Sequence, residues 1–174
     1  MRFCDFLKAT VLLSAASATL LAALTVISLS RALEETAAYV CIAWWALATV
    51  FGIVLGARNE ATSPIARLLA MARTQHSLPD LHPARTIFNR LWPLVLCTVG
   101  AGVLSLWAPQ ISGIAAGFAI IWSLAWRRQE AAVAAIEERD GARFYVDRTS
   151  PLSAIRLIRT PGFGGDFLHT RVPT

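Results

Sequence analysis

The chain has 174 residues, 56% of them hydrophobic and 16% charged, with a mean hydropathy of +0.55, which excludes an average soluble domain and points to the membrane class. Its formal net charge is +5, and 15 of its 16 basic residues are arginine, Lys8 being the other. Cys4, Cys41 and Cys97 form no CxxC pair and leave an odd thiol, which argues against a disulfide framework.

Three runs without Asp, Glu, Lys, Arg or His organise the chain: residues 9–30, 36–57 and 91–126. The first two have 22 residues each, and a helix needs about 20 to cross ~30 Å of hydrocarbon, so both read as transmembrane helices. An uncharged stretch of this length exceeds the roughly 7–15 residues of a signal-peptide core, and no A-x-A site closes it. The first segment is therefore expected to be a retained anchor. The third run has 36 residues and as one helix would measure about 54 Å, too long for tilt to absorb. Pro109 lies near its centre, preceded by Trp107 and followed by Gln110, Ser112 and Gly113. Proline lacks an amide donor and tryptophan prefers the headgroup level, so a tight turn at residues 108–112 is expected, dividing the run into 91–107 and 111–126.

Charge asymmetry favours this division over one kinked helix. With four crossings, the N-terminus, the loop 58–90 and the tail from residue 127 share one side and carry 2, 5 and 8 basic residues, leaving Arg31 opposite. The positive-inside rule is then obeyed at every crossing. The expected architecture is an all-α integral membrane protein with four transmembrane helices in two hairpins, a cytoplasmic amphipathic loop helix and a short cytoplasmic C-terminal tail. Residues 1–126 form the membrane region and its loop, and residues 127–174 a cytoplasmic helix and basic tail. Arginine and alanine enrichment suggests a GC-rich bacterial genome, so the expected location is a bacterial plasma membrane with both termini cytoplasmic.

Small residues mark the helix surfaces. Ser14, Ala18 and Ala22 share one stripe of the first segment, Gly52 and Gly56 form GxxxG in the second, and Gly113 and Gly117 repeat it in the fourth. Such spacing lets backbones approach closely and gain packing that lipid cannot supply, either within the bundle or in an oligomer. In the loop, "SPIARLLAMA" offers Ser63 as N-cap, Pro64 at the first helical position, and Ile65, Leu68, Leu69 and Ala72 on one face, with Arg67 and Arg73 beside it. Such a helix suits the headgroup layer or the underside of the bundle.

After Trp126, "RRQEAAVAAIEERDG" reads as a helix leaving the membrane, with Glu130, Glu137 and Glu138 exposed and Gly141 as its stop. Beyond it, Phe144 and Val146 alternate with Arg143, Tyr145, Asp147 and Arg148, a period near two, and residues 155–158 form a second short apolar run after the Ser150-Pro151 turn signal. The pattern allows a small β-hairpin, which is marginal alone in water and therefore needs a surface to lean on. Arg143, Phe144, Tyr145, Val146, Arg148, Arg156, Leu157 and Arg159 are the candidate docking residues of this tail. They suit an anionic leaflet together with the protein's own loop helix or a membrane or cytoplasmic protein partner.

Chemistry is sparse. His76, Asp80 and His82 mix imidazole and carboxylate, but prolines interrupt them and no i, i+4 pair results, so no metal site is assigned. A proton-coupled exporter needs a membrane-embedded carboxylate and a membrane thiol oxidase needs CxxC; neither is present in the runs. No cofactor, catalytic residue or nucleic-acid partner is expected. The leading expectation is a non-enzymatic accessory, assembly or scaffold component presenting a basic cytoplasmic tail. A small transporter or channel component working as an oligomer and an interfacial lipid-modifying enzyme are the alternatives.

Overall fold

A computed structural model describes residues 1–32, 35–57, 63–74, 83–146 and 155–161. The elements in chain order are α1 (Phe3–Ala32), α2 (Glu35–Leu55), α3 (Ser63–Ala70), β1 (Arg73–Thr74), α4 (Pro83–Leu104), α5 (Pro109–Trp126), α6 (Gln129–Arg139), β2 (Ala142–Val146) and β3 (Leu157–Pro161). Four helices, α1, α2, α4 and α5, are long and apolar enough to cross a bilayer.

The long uncharged run is broken into α4 and α5 at residues 105–108, a few residues before the expected turn at 108–112. The reason is local. Proline needs no amide partner in the first helical turn and its fixed φ suits that turn, so Pro109 opens α5 instead of occupying the bend. Ser105 closes α4 by donating its hydroxyl to the Gly102 carbonyl at 2.6 Å. At its other end α4 starts at Pro83, eight residues before the uncharged run, so part of the loop is helix.

In the bundle, α5 is the central element, packed along α1 on one side and α2 on the other, while α4 touches both α1 and α5. The chain neighbours α1 and α2 meet only sparsely. Ala48, Gly52, Gly113, Ala116 and Gly117 are buried between helices, whereas Val50, Val54, Val95, Leu96 and Val99 point outward as a lipid-exposed surface would require.

A second layer sits at one end of the bundle. Phe3, Phe6 and Leu7 of α1, Ile65 of α3, Leu91 of α4, Val133 of α6 and Phe144, Val146 and Leu157 of the strands form one apolar cluster, with Leu68, Leu69 and Ala72 against it. The chain is mostly helical, as expected, and the antiparallel pair of β2 and β3 is the small hairpin that the tail pattern allows; β1 is the addition. The strands form a three-stranded sheet in the order β1-β3-β2, with β3 antiparallel to β2 (Phe144 opposite Arg159, Val146 opposite Leu157) and parallel to β1. The N-terminus extends the sheet beyond β2, where Val146 donates its backbone N–H to the Met1 carbonyl at 3.0 Å and Arg2 bridges Tyr145. At 1.5 Å per residue the 30-residue α1 measures about 45 Å, more than ~30 Å of hydrocarbon, and its surplus first turns lie in this cap.

Candidate functional site

The α2–α5 seam is built on the absence of side chains. A methyl at Gly52 would lie 2.8 Å from Leu124 Cβ and 3.3 Å from Ile121 Cα, and one at Gly56 would overlap the Leu124 carbonyl oxygen. From the α5 side, a methyl at Gly113 would lie 2.6 Å from Cys41 Sγ, and one at Gly117 would run into the Trp44 indole. Close approach lets the indoles reach across. Trp45 Nε1 donates to the Gly113 carbonyl at 2.8 Å and Trp44 Nε1 to the Ile114 carbonyl at 3.2 Å, each using the second lone pair of a helical carbonyl. Gly100 and Gly102 of α4 differ: an added methyl meets nothing within 4 Å at the former and only Leu24 Cδ1 at 3.4 Å at the latter.

The α1–α5 seam carries hydroxyls. Thr25 donates to the Ser112 hydroxyl at 2.8 Å, and Ser112 in turn donates to the Pro109 carbonyl at 2.9 Å. The Leu21 carbonyl, 2.7 Å from the same Thr25 oxygen, is its alternative acceptor. Thr10 and Ser14 return their protons to carbonyls one turn back, at 2.9 and 2.8 Å. These buried hydroxyls are engaged by their own helices or by each other, as polar groups away from water must be.

In the cap, the alternation of β2 divides its residues. Phe144 and Val146 are buried with Leu157 in the apolar cluster; Arg143 is exposed and Tyr145 half-buried, and on β3 Arg159 is exposed, as is Arg156 just before it. Arg148 lies outside the described residues, as do His76, Asp80 and His82. The apolar members of the tail set are therefore turned inward onto α1, α3 and α6, and the arginines are the surface.

Glu137 departs from the expectation that all the glutamates of this helix are exposed: it is 7% exposed. Its Oε2 accepts from Arg2 Nη2 at 3.0 Å and its Oε1 from the Phe144 backbone N–H at 2.9 Å. One carboxylate thus ties the N-terminus, α6 and β2 together, and its hydrogen bond raises the pKa of the Arg2 guanidinium above the usual value. At the edge of the cap, Lys8 Nζ pairs with Glu130 Oε1 at 2.8 Å. Just past α6, the Arg139 guanidinium, 2.8 Å away, holds the Asp140 carboxyl below its usual range. Gly141 then takes a positive φ of 58°, which lets the chain turn from α6 into β2.

The residues the linear reading passes over are Met1, Phe3, Phe6 and Leu7, and the one it misplaces is Glu137. A signal for the first group exists: in "RFCDFLK" Phe3, Phe6 and Leu7 sit at i, i+3 and i+4 with Asp5 between them and Arg2 and Lys8 on either side, a short amphipathic turn. No grouping of three or more His, Cys, Asp or Glu suited to a metal occurs among the described residues. Comparison with protein-family models, curated proteins and solved structures gives no match.

Proposed function

We propose that this chain is a multi-pass membrane protein of accessory or scaffold type, whose four helices hold a folded, arginine-bearing cap at the cytoplasmic face. The observation that carries this reading is the cap itself. The N-terminus, the loop helix α3, α6 and the tail strands share one apolar core at one end of the bundle. Their common location is what an even number of crossings requires, and it gathers the arginine-rich segments on one side as the positive-inside rule demands. Around that core Arg67, Arg127, Arg128, Arg143, Arg156 and Arg159 are all exposed. Each arginine near an anionic leaflet contributes about 1 kcal/mol of attraction within a Debye length, so several together orient the cap over the headgroups.

Because the tail's apolar residues are spent inside the cap, the surface offered to a protein partner is the charged one. A photo-crosslinker placed at Arg143 or Arg156 in native membranes should give discrete protein adducts as well as lipid adducts. Lipid adducts alone, with unaltered growth and membrane composition after truncation at Gly141, would reduce the cap to an electrostatic topology signal and refute the scaffold reading.

A further inference from the structure

Two openings flank the end of α2 remote from the cap, one of about 470 Å³ towards α1, where contact is sparse, and one towards α5, and Glu35 lines both. The larger opening is a cleft of about 850 Å³ between α2 and α5, lined by Glu35, Thr36, Val40, Trp44, Gln110 and Ile114. Three features define what fits it. Glu35 at its mouth is exposed and makes no ion pair among the described residues. The walls below are apolar. The inner end is closed where Trp44 bridges to the Ile114 carbonyl and sets its ring edge-on to Phe118, with centroids 5.5 Å apart. From Glu35 to Trp44 the cleft follows nine residues of helix, about 14 Å, which is close to half of ~30 Å of hydrocarbon.

We infer that this cleft is a binding site for a single membrane lipid with a primary-ammonium headgroup, its ammonium on the Glu35 carboxylate and an acyl chain lying along Val40 and Ile114 down to Trp44. The inference rests on the membrane reading proposed above, since the cleft is one leaflet deep only if α2 and α5 span the bilayer. A carboxylate at headgroup level repels an anionic lipid and attracts a cationic group. It favours an ammonium that can donate hydrogen bonds over a quaternary one that cannot, because the tryptophan that would otherwise hold a quaternary group lies at the far end of the cleft. Thr36 adds a hydroxyl within the same first turn of α2.

The test uses full-length protein equilibrated with an equal mixture of dioleoyl phosphatidylethanolamine, phosphatidylcholine and phosphatidylglycerol and read by native mass spectrometry. One phosphatidylethanolamine per chain should be retained at about tenfold preference over the other two, the scale of one charge-assisted hydrogen bond. Glu35→Gln should abolish the preference, and Val40→Trp, which fills the cleft and leaves the carboxylate in place, should lose the lipid. Both positions are exposed, so the fold is not at stake. Equal retention of the three lipids, or a preference that survives Glu35→Gln, would overturn the inference. Flotation with liposomes after alkaline extraction separates the two levels: protein that fails to float refutes the membrane reading, whereas protein that floats without lipid preference refutes the lipid site alone.

Discussion

Adding one methyl group at Gly56, the residue that follows α2, should drive the end of α2 away from α5. The new carbon would overlap the Leu124 carbonyl oxygen, a backbone atom that no rotamer change can move, so relief has to come from separating the helices. Overpacking of this kind costs about 1–3 kcal/mol. Gly117→Ala meets the Trp44 indole instead, and displacing it also breaks the hydrogen bond to Ile114, which adds about 1 kcal/mol and brings the total to about 2–4 kcal/mol. Gly100→Ala is the internal control. Nothing lies within 4 Å of its new methyl, and replacing a mid-helix glycine gains up to about 1 kcal/mol of helix propensity. The expected order of stability is therefore Gly100→Ala at or above the parent protein, then Gly56→Ala and Gly117→Ala below it, spread over about 2–5 kcal/mol. Unfolding titrations in mixed micelles, followed by far-ultraviolet circular dichroism and tryptophan fluorescence, resolve such a spread. Equal stabilities of all three variants within about 0.5 kcal/mol, the usual limit of non-coupled behaviour, would refute the close-approach argument.

Other expectations concern the cap, the hydroxyl pair and the topology. Glu137→Ala strips the buried Phe144 N–H of its acceptor at a cost of about 1–3 kcal/mol, so trypsin should cleave after Arg143 faster than in the parent protein while the bundle's own unfolding is unchanged. Phe144→Ala removes a ring from the centre of the apolar cluster, worth about 3–5 kcal/mol at a fully packed site, and should loosen β3 so that the same protease cuts faster after Arg156 and Arg159, whose side chains are exposed already. A double-mutant cycle of Thr25→Val and Ser112→Ala should return a coupling near 0.6 kcal/mol, the average for an interhelical hydrogen bond in a membrane; a coupling indistinguishable from zero would show that each hydroxyl is satisfied by its own helix alone. Reporter fusions after Glu35 and after Thr174 should read external and cytoplasmic respectively, and an external C-terminal reporter would overturn the four-crossing topology.

Much of the architecture is local and so can be read along the chain. Twenty-two uncharged residues mark a helix long and apolar enough to span a bilayer, Pro109 marks a break because its missing amide acts on its immediate neighbours, and Gly141 stops a helix because its positive φ is a single-residue property. The alternation of Phe144 and Val146 with Arg143 and Tyr145 likewise announces a strand without reference to anything else.

Tertiary structure alone decides which surfaces meet. Lipid and a neighbouring helix are equally apolar, so no residue of α5 declares in the sequence that it is the central helix, or that α1 and α2, joined in the chain, lie largely apart. Two residues, Arg73 and Thr74, are too few to show any period, and they become a strand because β3 offers them backbone partners. Glu137 and Glu138 are adjacent and chemically identical. One is buried and the other exposed because 100° of helical rotation separates them, and only the first meets Arg2 and the Phe144 amide, groups 135 and 7 residues away.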